Sequence, residues 1–477
     1  MPQQPIYLNG AWSHGEGERP VTDPGNGETI ATVATVGRDA AWQAIDAAHA
    51  ALPAWRATPA RDRGEFLLDA ADALTARTDD VAHTLTRENG KPIAESRQEV
   101  AVAVDHMRWF AEEGRRASGR IVPPQAEGKR HLIVRQPVGV VAAISPWNFP
   151  LMLSARKVAP ALAAGCPVIL KPAERTPLCT LALAACFDEA GLPPGVFQLL
   201  VGEPAEIASA FFDHPHCRKV SFTGSTATGK KLIHQSADQV TKLALELGGQ
   251  APLLVFDDAD LDLAVDAAMG SKFRNTGQSC IASNRFYVQA GVHDEFVRRF
   301  TEKAAALNVG YGLDEHTELG AMIDRAGLDK ALSHIRDAVE RGATIATGGE
   351  VADIPGGLFL QPTVLTHVPD DALCMNEETF GPVAPIARFD HEDDAIARAN
   401  DTSFGLAAYA CTTDLARSWR LAERLDAGSV CINDAVPSTS NCPFGGTKQS
   451  GLGRELASEG LDAFLETKHV SLGHLHP

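Results

Sequence analysis

Apolar and polar positions follow two different periods along the middle of the chain. Short unbroken apolar runs at 138–144, 168–171, 197–201 and 219–222 have the length and β-branched content of buried strands. Longer stretches with helical spacing lie between them. Residues 151–164 form one, and 178–190 form another that ends at Gly191 with Pro193-Pro194 beyond it. Strands alternating with helices of this length predict parallel βαβ units. A second series begins at 252–256 and continues through a strand at 285–288, a helix at 294–307, and strands near 384–389 and 429–433. Between the two series, Leu243-Ala244-Leu245-Glu246-Leu247-Gly248-Gly249 reads as a strand ending at paired glycines, the expected domain boundary. Two α/β units joined there predict a ligand cleft between them. The chain before about Ile121 reads mostly as Ala-rich helix, for example 40–54 and 61–77.

Length and composition narrow the class. At 477 residues the chain has room for about three domains. With 44% hydrophobic and 22% charged residues it is an ordinary globular sequence, without repeats or low-complexity tracts. The 43 Lys and Arg against 61 Asp and Glu leave a formal charge of −18, which repels a phosphate backbone. The densest basic runs, Arg115-Arg116 and Lys129-Arg130, are too short to offset it, so nucleic acid is not an expected partner. Met1-Pro2-Gln3-Gln4-Pro5 has neither the basic nor the apolar region of a secretory signal. The most apolar stretch, 158–170, is broken by Pro160, Gly165 and Pro167, so no membrane span is expected. Nine cysteines with no Cys-x-x-Cys pair point to reduced thiols in a cytoplasm, and away from disulfides or structural zinc.

Several motifs invite chemistry, and most are decoys. The dinucleotide fingerprint Gly-x-Gly-x-x-Gly is absent. Gly224-Ser225-Thr226-Ala227-Thr228-Gly229-Lys230-Lys231 nearly matches a P-loop, but Lys231 stands where a hydroxyl would hold Mg²⁺. What survives is a strand, a turn and a helix start, whose free N–H groups suit an anion. Ser154-Ala155-Arg156-Lys157 matches Ser-x-x-Lys without the partner motifs. His214-Pro215-His216-Cys217 is read as a solvated loop rather than a metal cluster, since no further ligands follow. Gly277-Gln278-Ser279-Cys280 surrounds its thiol with small polar residues, whereas the other eight cysteines sit mostly in apolar runs. A reactive thiol and a packed one are both open for Cys280 on this ground. Glu246 is an acid in an apolar strand, which is costly without a partner or a function. Asn148, between Pro146 and Pro150, reads locally as a turn asparagine.

Taken together, the motifs resemble the NAD(P)-dependent aldehyde dehydrogenase superfamily. Seven occur in its order: Pro146-Trp147-Asn148-Phe149-Pro150, Lys171-Pro172-Ala173-Glu174, Phe222-Thr223-Gly224-Ser225, Glu246-Leu247-Gly248-Gly249, Gly277-Gln278-Ser279-Cys280, Glu377-Glu378-Thr379-Phe380-Gly381-Pro382 and Pro443-Phe444-Gly445-Gly446. Within it the chain is most similar to the succinate-semialdehyde dehydrogenases. That likeness lies in Lys272-Phe273-Arg274-Asn275-Thr276, in Arg156-Lys157, and in the tail from Lys448 to Gly473.

The resemblance implies an α/β fold with two Rossmann-type domains and a small β oligomerisation arm. The cofactor domain falls at 1–113 and 133–247, the catalytic domain at 248–446, and the arm and tail at 114–132 and 447–477. It further implies that Cys280 forms a thioester with the aldehyde. The oxyanion is then held by the Asn148 amide and the Cys280 backbone N–H, each worth about 3 kcal/mol of barrier, and Glu246 activates the hydrolytic water. Lys171 and Glu174 are expected at the adenosine ribose, Gly224 and Ser225 at the pyrophosphate, and Glu378 at the nicotinamide ribose. Trp147, Leu247 and Phe380 are expected to line the ring pocket. A carboxylate at Glu174 repels a 2′-phosphate, which favours NAD over NADP, while Lys171 and Arg175 oppose that preference. Arg156, Arg274 and Ser438 are expected to grip a substrate carboxylate, making succinic semialdehyde the expected substrate, ahead of other semialdehydes. No metal is implied, and the expected assembly is a homodimer or homotetramer. Some relatives carry a second cysteine two residues after the nucleophile; here that position is Ala282, so a local disulfide switch cannot form.

Overall fold

Five apolar runs become the parallel heart of an eight-stranded sheet. In spatial order its strands are Gly451–Leu452, Lys242–Glu246, Cys217–Thr223, Val140–Ile144, Val168–Lys171, Phe197–Leu199, Ile6–Leu8 and Ala11–Ser13. Val140–Val141-Ala142-Ala143 are fully buried, as a strand covered on both faces requires. The chain adds strands to one side of Val140–Ile144, then returns to add Cys217–Thr223 and Lys242–Glu246 on the other. That reversal opens a crevice at the carboxyl ends of Val140–Ile144 and Cys217–Thr223, the place where open α/β sheets bind ligands. The register keeps these ends level: Phe222 pairs with Ile144, Ile144 with Lys171, and Thr223 with Glu246. Residues 3–474 of this computed structural model are described; the outermost ends of the expected cofactor domain and tail, 1–2 and 475–477, lie outside the described residues.

A seven-stranded sheet holds the second series, in the order Thr344–Thr347, Thr363–Thr366, Val383–Phe389, Ser283–Gln289, Ala251–Val255, Ala407–Cys411 and Ser429–Ile432. All its pairings are parallel except that of the first two strands. The segments leading into its strands carry Gly248-Gly249, Cys280 and Glu378–Phe380. The amino ends of this sheet therefore face the carboxyl ends of the first.

The helix Pro150–Ala164 joins the first sheet's crevice to its core. Proline sits at its first position, where no N–H is needed, and Gly165 ends it at φ +91°. Every residue in it is buried, including Arg156 and Lys157, so both charges require partners inside the protein.

Two expectations need correction. Residues 3–35 are not helical: Gly17–Thr22 and Thr29–Thr35 pair in a three-stranded sheet with Gln3–Gln4, and Ile6–Leu8 and Ala11–Ser13 extend the main sheet. These strands are short and partly exposed, so they leave no long apolar run to read. Helices do follow, at Arg38–Ala57 and Ala60–Ala76. A separate three-stranded sheet combines Arg120–Val122, Arg130–Pro137 and Leu465–Leu472. Its strand Arg130–Pro137 runs across the position where a boundary at 132–133 was expected. The tail also re-enters the main sheet, since Gly451–Leu452 pairs antiparallel with Leu245 and Glu246.

Candidate active site

Eight of the residues singled out in the sequence line one cavity of about 190 Å³: Trp147, Asn148, Gly224, Ser225, Leu247, Cys280, Glu378 and Phe380. Each arrives from a strand end. Trp147 and Asn148 follow Val140–Ile144, Gly224 and Ser225 follow Cys217–Thr223, and Leu247 follows Glu246. Cys280 and Phe380 come from the segments entering the second sheet. The Trp147 and Phe380 rings meet edge-on with centroids 5.4 Å apart. Phe380 has φ +56°, a strained backbone for a bulky residue, held here in the cavity wall.

Cys280 and Glu246 form the centre. The thiol donates to Glu246 Oε1 at 3.0 Å, and Thr223 Oγ1 donates to Glu246 Oε2 at 3.0 Å. Burial raises the Glu246 carboxyl above the usual carboxylate range, and the Glu455 carboxylate raises it further, opposed by Arg156 and Lys157. Burial likewise pushes the Cys280 thiol well up, and the neighbouring Glu246 carboxylate adds to that. Both shifts favour the protonated forms, and the thiol is the donor across the 3.0 Å contact.

The loop before Cys280 is tightly wound. Asn275, Thr276 and Gly277 take φ of +50°, +57° and +70° in succession. A Cβ on Gly277 would lie 2.2 Å from Gly381 O, and one on Gly249 would lie 2.1 Å from Cys280 O, so both positions need glycine. Asn275 Nδ2 donates to Asn148 O at 2.8 Å, and Asn148 Nδ2 donates to Gln278 O at 3.1 Å. The Asn148 amide is therefore held against the backbone two residues before the thiol. Asn275, Gln278 and Thr223 lie within the motifs without an expected role; those of Asn275 and Gln278 come from backbone carbonyls, which carry no sequence signal, and that of Thr223 from its hydroxyl on Glu246, a contact between separate strands.

Lys171 and Glu174 lie elsewhere. They pair with each other at 3.1 Å, and Glu174 lines a wider cleft of about 870 Å³ with Arg175 and Asp324. Arg175 is itself paired with Asp324 at 2.9 Å. Glu378 Oε1 accepts from Gly249 N at 2.9 Å, and burial pushes its carboxyl up to about 7. Ser225 caps the helix Thr226–Ser236 by accepting from Thr228 N at 3.2 Å, which leaves a helix N-terminus facing the cavity. A flat ring against Trp147, Leu247 and Phe380, a ribose hydroxyl on Glu378 and a phosphate at that N-terminus suit a pyridine dinucleotide.

Arg156 Nη2 donates to Ser438 Oγ at 2.7 Å, and its guanidinium lies 4.9 Å from the Phe444 ring centroid. Arg274 is less buried and stands 5.0 Å from the Phe149 ring. Arg156 and Ser438 are brought together, while Arg274 stands against the phenylalanine of the Asn148 loop. Two sequence readings change. His214 is buried and paired with Asp46 at 3.2 Å rather than solvated, and Cys442 is an exposed thiol. No group of three or more His, Cys, Asp or Glu able to hold a metal occurs among the described residues.

The profile of the Aldehyde dehydrogenase family matches residues 12–470. The chain belongs to the aldehyde dehydrogenase family. It is 46% identical over 474 residues to an Escherichia coli (strain K12) succinate-semialdehyde dehydrogenase named for NADP(+), covering 99% of this chain and 98% of that one. It is 45% identical over 473 residues to a glutarate-semialdehyde dehydrogenase of Pseudomonas aeruginosa, again covering 99% and 98%. The crystal structure of succinate-semialdehyde dehydrogenase from Burkholderia pseudomallei superposes with a TM-score of 0.97 at 46% identity, covering 98% of each chain. This dehydrogenase is an NAD(P)-dependent enzyme with the mixed α/β fold of its family.

The proton shared by Cys280 and Glu246 gives a prediction independent of any substrate. A carboxylate beside the thiol disfavours thiolate, so removing its charge lowers the thiol's pKa. In Glu246→Gln, alkylation of the Cys280 peptide by iodoacetamide should reach half its maximal rate at a lower pH than in wild type. An unchanged or higher midpoint would show that the carboxylate does not govern the thiol.

Proposed function

We propose that this aldehyde dehydrogenase oxidises a semialdehyde whose far end is a carboxylate, with succinic semialdehyde its best substrate. The observation that carries this reading is Arg156. It is 2% exposed, its Nε has no hydrogen-bond partner, and no carboxylate lies within 4.0 Å of it among the described residues. A buried cation with no carboxylate in direct contact is costly even with the Glu246 charge nearby, and a carboxylate arriving on the substrate would supply that contact. Ser438 orients one arm of the guanidinium, and Arg274 adds a second cation beside Phe149.

In the proposed mechanism, Glu246 takes the Cys280 proton and the thiolate adds to the aldehyde carbon. The carbonyl oxygen becomes an oxyanion, accepted by the Asn148 side-chain amide and the Cys280 backbone N–H. Bound NAD(P)⁺ supplies the hydride acceptor, so that the thiohemiacetal on Cys280 becomes a thioester. Glu246 passes the Cys280 proton to solvent and, as carboxylate again, takes a proton from water, whose oxygen attacks the thioester carbon and expels the Cys280 thiolate with the acid as product. The raised carboxyl of Glu246 suits a base that must both accept and release a proton near neutral pH. Trp147, Leu247 and Phe380 would flank the nicotinamide, Glu378 its ribose, Gly224 and Ser225 the pyrophosphate, and Lys171 and Glu174 the adenosine ribose.

NAD is the favoured cofactor. The Lys171 charge is already matched by Glu174, and Arg175 is held by Asp324, so neither cation is free for a 2′-phosphate. A homo-oligomer is the expected assembly, and the exposed Ile121 on the sheet of Arg120–Val122, Arg130–Pro137 and Leu465–Leu472 is a candidate contact with a second copy. No helix among the described residues is long and apolar enough to cross a membrane, and nine free cysteines suit a reducing cytoplasm.

Two measurements test this reading. Succinic semialdehyde should exceed butanal by at least tenfold in kcat/KM, from charge-assisted bonds worth about 1.5–3 kcal/mol each. Arg156→Ala should remove most of that preference, lowering the succinic semialdehyde value far more than the butanal value. Equal use of both aldehydes by wild type would instead make this a general aldehyde dehydrogenase. NAD⁺ should likewise give a higher kcat/KM than NADP⁺, with Glu174→Ser narrowing the gap. A native preference for NADP⁺ would mean that Lys171 or Arg175 governs the 2′ site.

A further inference from the structure

A fully buried ion pair lies behind the Asn148 loop, outside the cavity. Lys91 follows Gly90, which ends the helix Thr78–Asn89 at φ +94°, and Glu99 sits in the helix Ile93–Glu113. Their side chains are 0% and 1% exposed, with Lys91 Nζ 2.6 Å from Glu99 Oε2. Desolvating both ions is costly, and pairing alone often fails to recover it. The further contacts of both ions converge on one short segment. Lys91 Nζ also donates to Asn148 O at 2.7 Å and stands 4.1 Å from the Phe149 ring centroid. Glu99 Oε1 accepts from Leu151 N at 2.9 Å and Met152 N at 3.2 Å, the free donors at the start of the helix Pro150–Ala164. A carboxylate at that end also meets the positive pole of the helix dipole.

We infer that Lys91 and Glu99 are positioning residues for the Asn148 amide. Asn148 O receives Lys91 Nζ from one side and Asn275 Nδ2 at 2.8 Å from the other, which fixes the peptide plane after Asn148. Asn89 Nδ2 holds Trp147 O at 2.8 Å, so the preceding carbonyl is pinned as well. With the backbone fixed and one side-chain N–H on Gln278 O, the second N–H has a defined direction. Preorganised donors stabilise an oxyanion because they need no reorientation as charge develops. Lys91 and Glu99 touch neither substrate nor thiol; they act through Asn148. This inference rests on the proposed oxyanion role of Asn148.

The test is a double-mutant cycle read by the NADH burst rate in rapid mixing, with NAD⁺ affinity measured separately by fluorescence. Lys91→Met should slow the burst at least tenfold in the wild-type background and less than twofold in Asn148→Ala, with NAD⁺ affinity within twofold throughout. Equal slowing in both backgrounds would overturn the inference, because the pair would then act on the fold at large. No slowing in the wild-type background would overturn it too. If Asn148→Ala alone leaves the burst unchanged, the oxyanion reading itself fails, a result separable because it involves no change at Lys91. Should Lys91→Met not fold, Lys91→Met/Glu99→Gln takes its place in the cycle, since it leaves no unpaired buried charge.

Discussion

A thiol and a carboxylate 3.0 Å apart, both held largely away from water, cannot both be anions. The rest of the site follows from this constraint. Only one proton separates a resting pair from a nucleophile, and the two groups titrate as a unit rather than separately. Thr223 fixes the far oxygen of Glu246, Glu455 makes its ionisation harder, and Arg156 and Lys157 make it easier. The proposed chemistry uses Glu246 as a base twice: it removes the Cys280 proton before addition, gives that proton up, and later removes another from water.

Bringing these two groups together is the work of the fold. Glu246 ends a strand of one sheet, and Cys280 precedes a strand of the other. The paired glycines that follow Glu246 let the chain cross between sheets while its backbone passes close to Cys280 O. Ser450 ties the crossing down, donating to Gly248 O at 2.7 Å and accepting from Gly405 N at 2.9 Å. The tail is thereby part of the same junction, pairing beside Glu246 in the first sheet. A mutation in that junction would shift the thiol relative to the acid without touching either.

Legibility from sequence tracked the range of the interaction. The strands read at 168–171 and 384–389 and the helix read at 151–164 were legible because burial on all sides leaves a continuous apolar signature. Glu246 stood out as a lone acid inside such a run. The N-terminal strands could not be read this way, since two to seven partly exposed residues carry little period. Lys91, Glu99 and Asn275 were invisible for another reason. The contacts that give them a place at the site, beyond the Lys91–Glu99 pair itself, are to main-chain carbonyls and amides of distant segments, and nothing in a residue's neighbours announces them. The family resemblance supplied candidate residues at the cavity, but the pairing of Arg175 with Asp324 came only from geometry.

The central claim is that substrate carbon passes through a covalent bond to Cys280 and is released by Glu246. The most direct measurement is intact-protein and peptide mass analysis of Glu246→Gln, quenched within one turnover of NAD⁺ and succinic semialdehyde. The account predicts that the acyl mass accumulates on the Cys280 peptide, in step with the NADH formed. NADH formed with no acyl mass on Cys280 would contradict it.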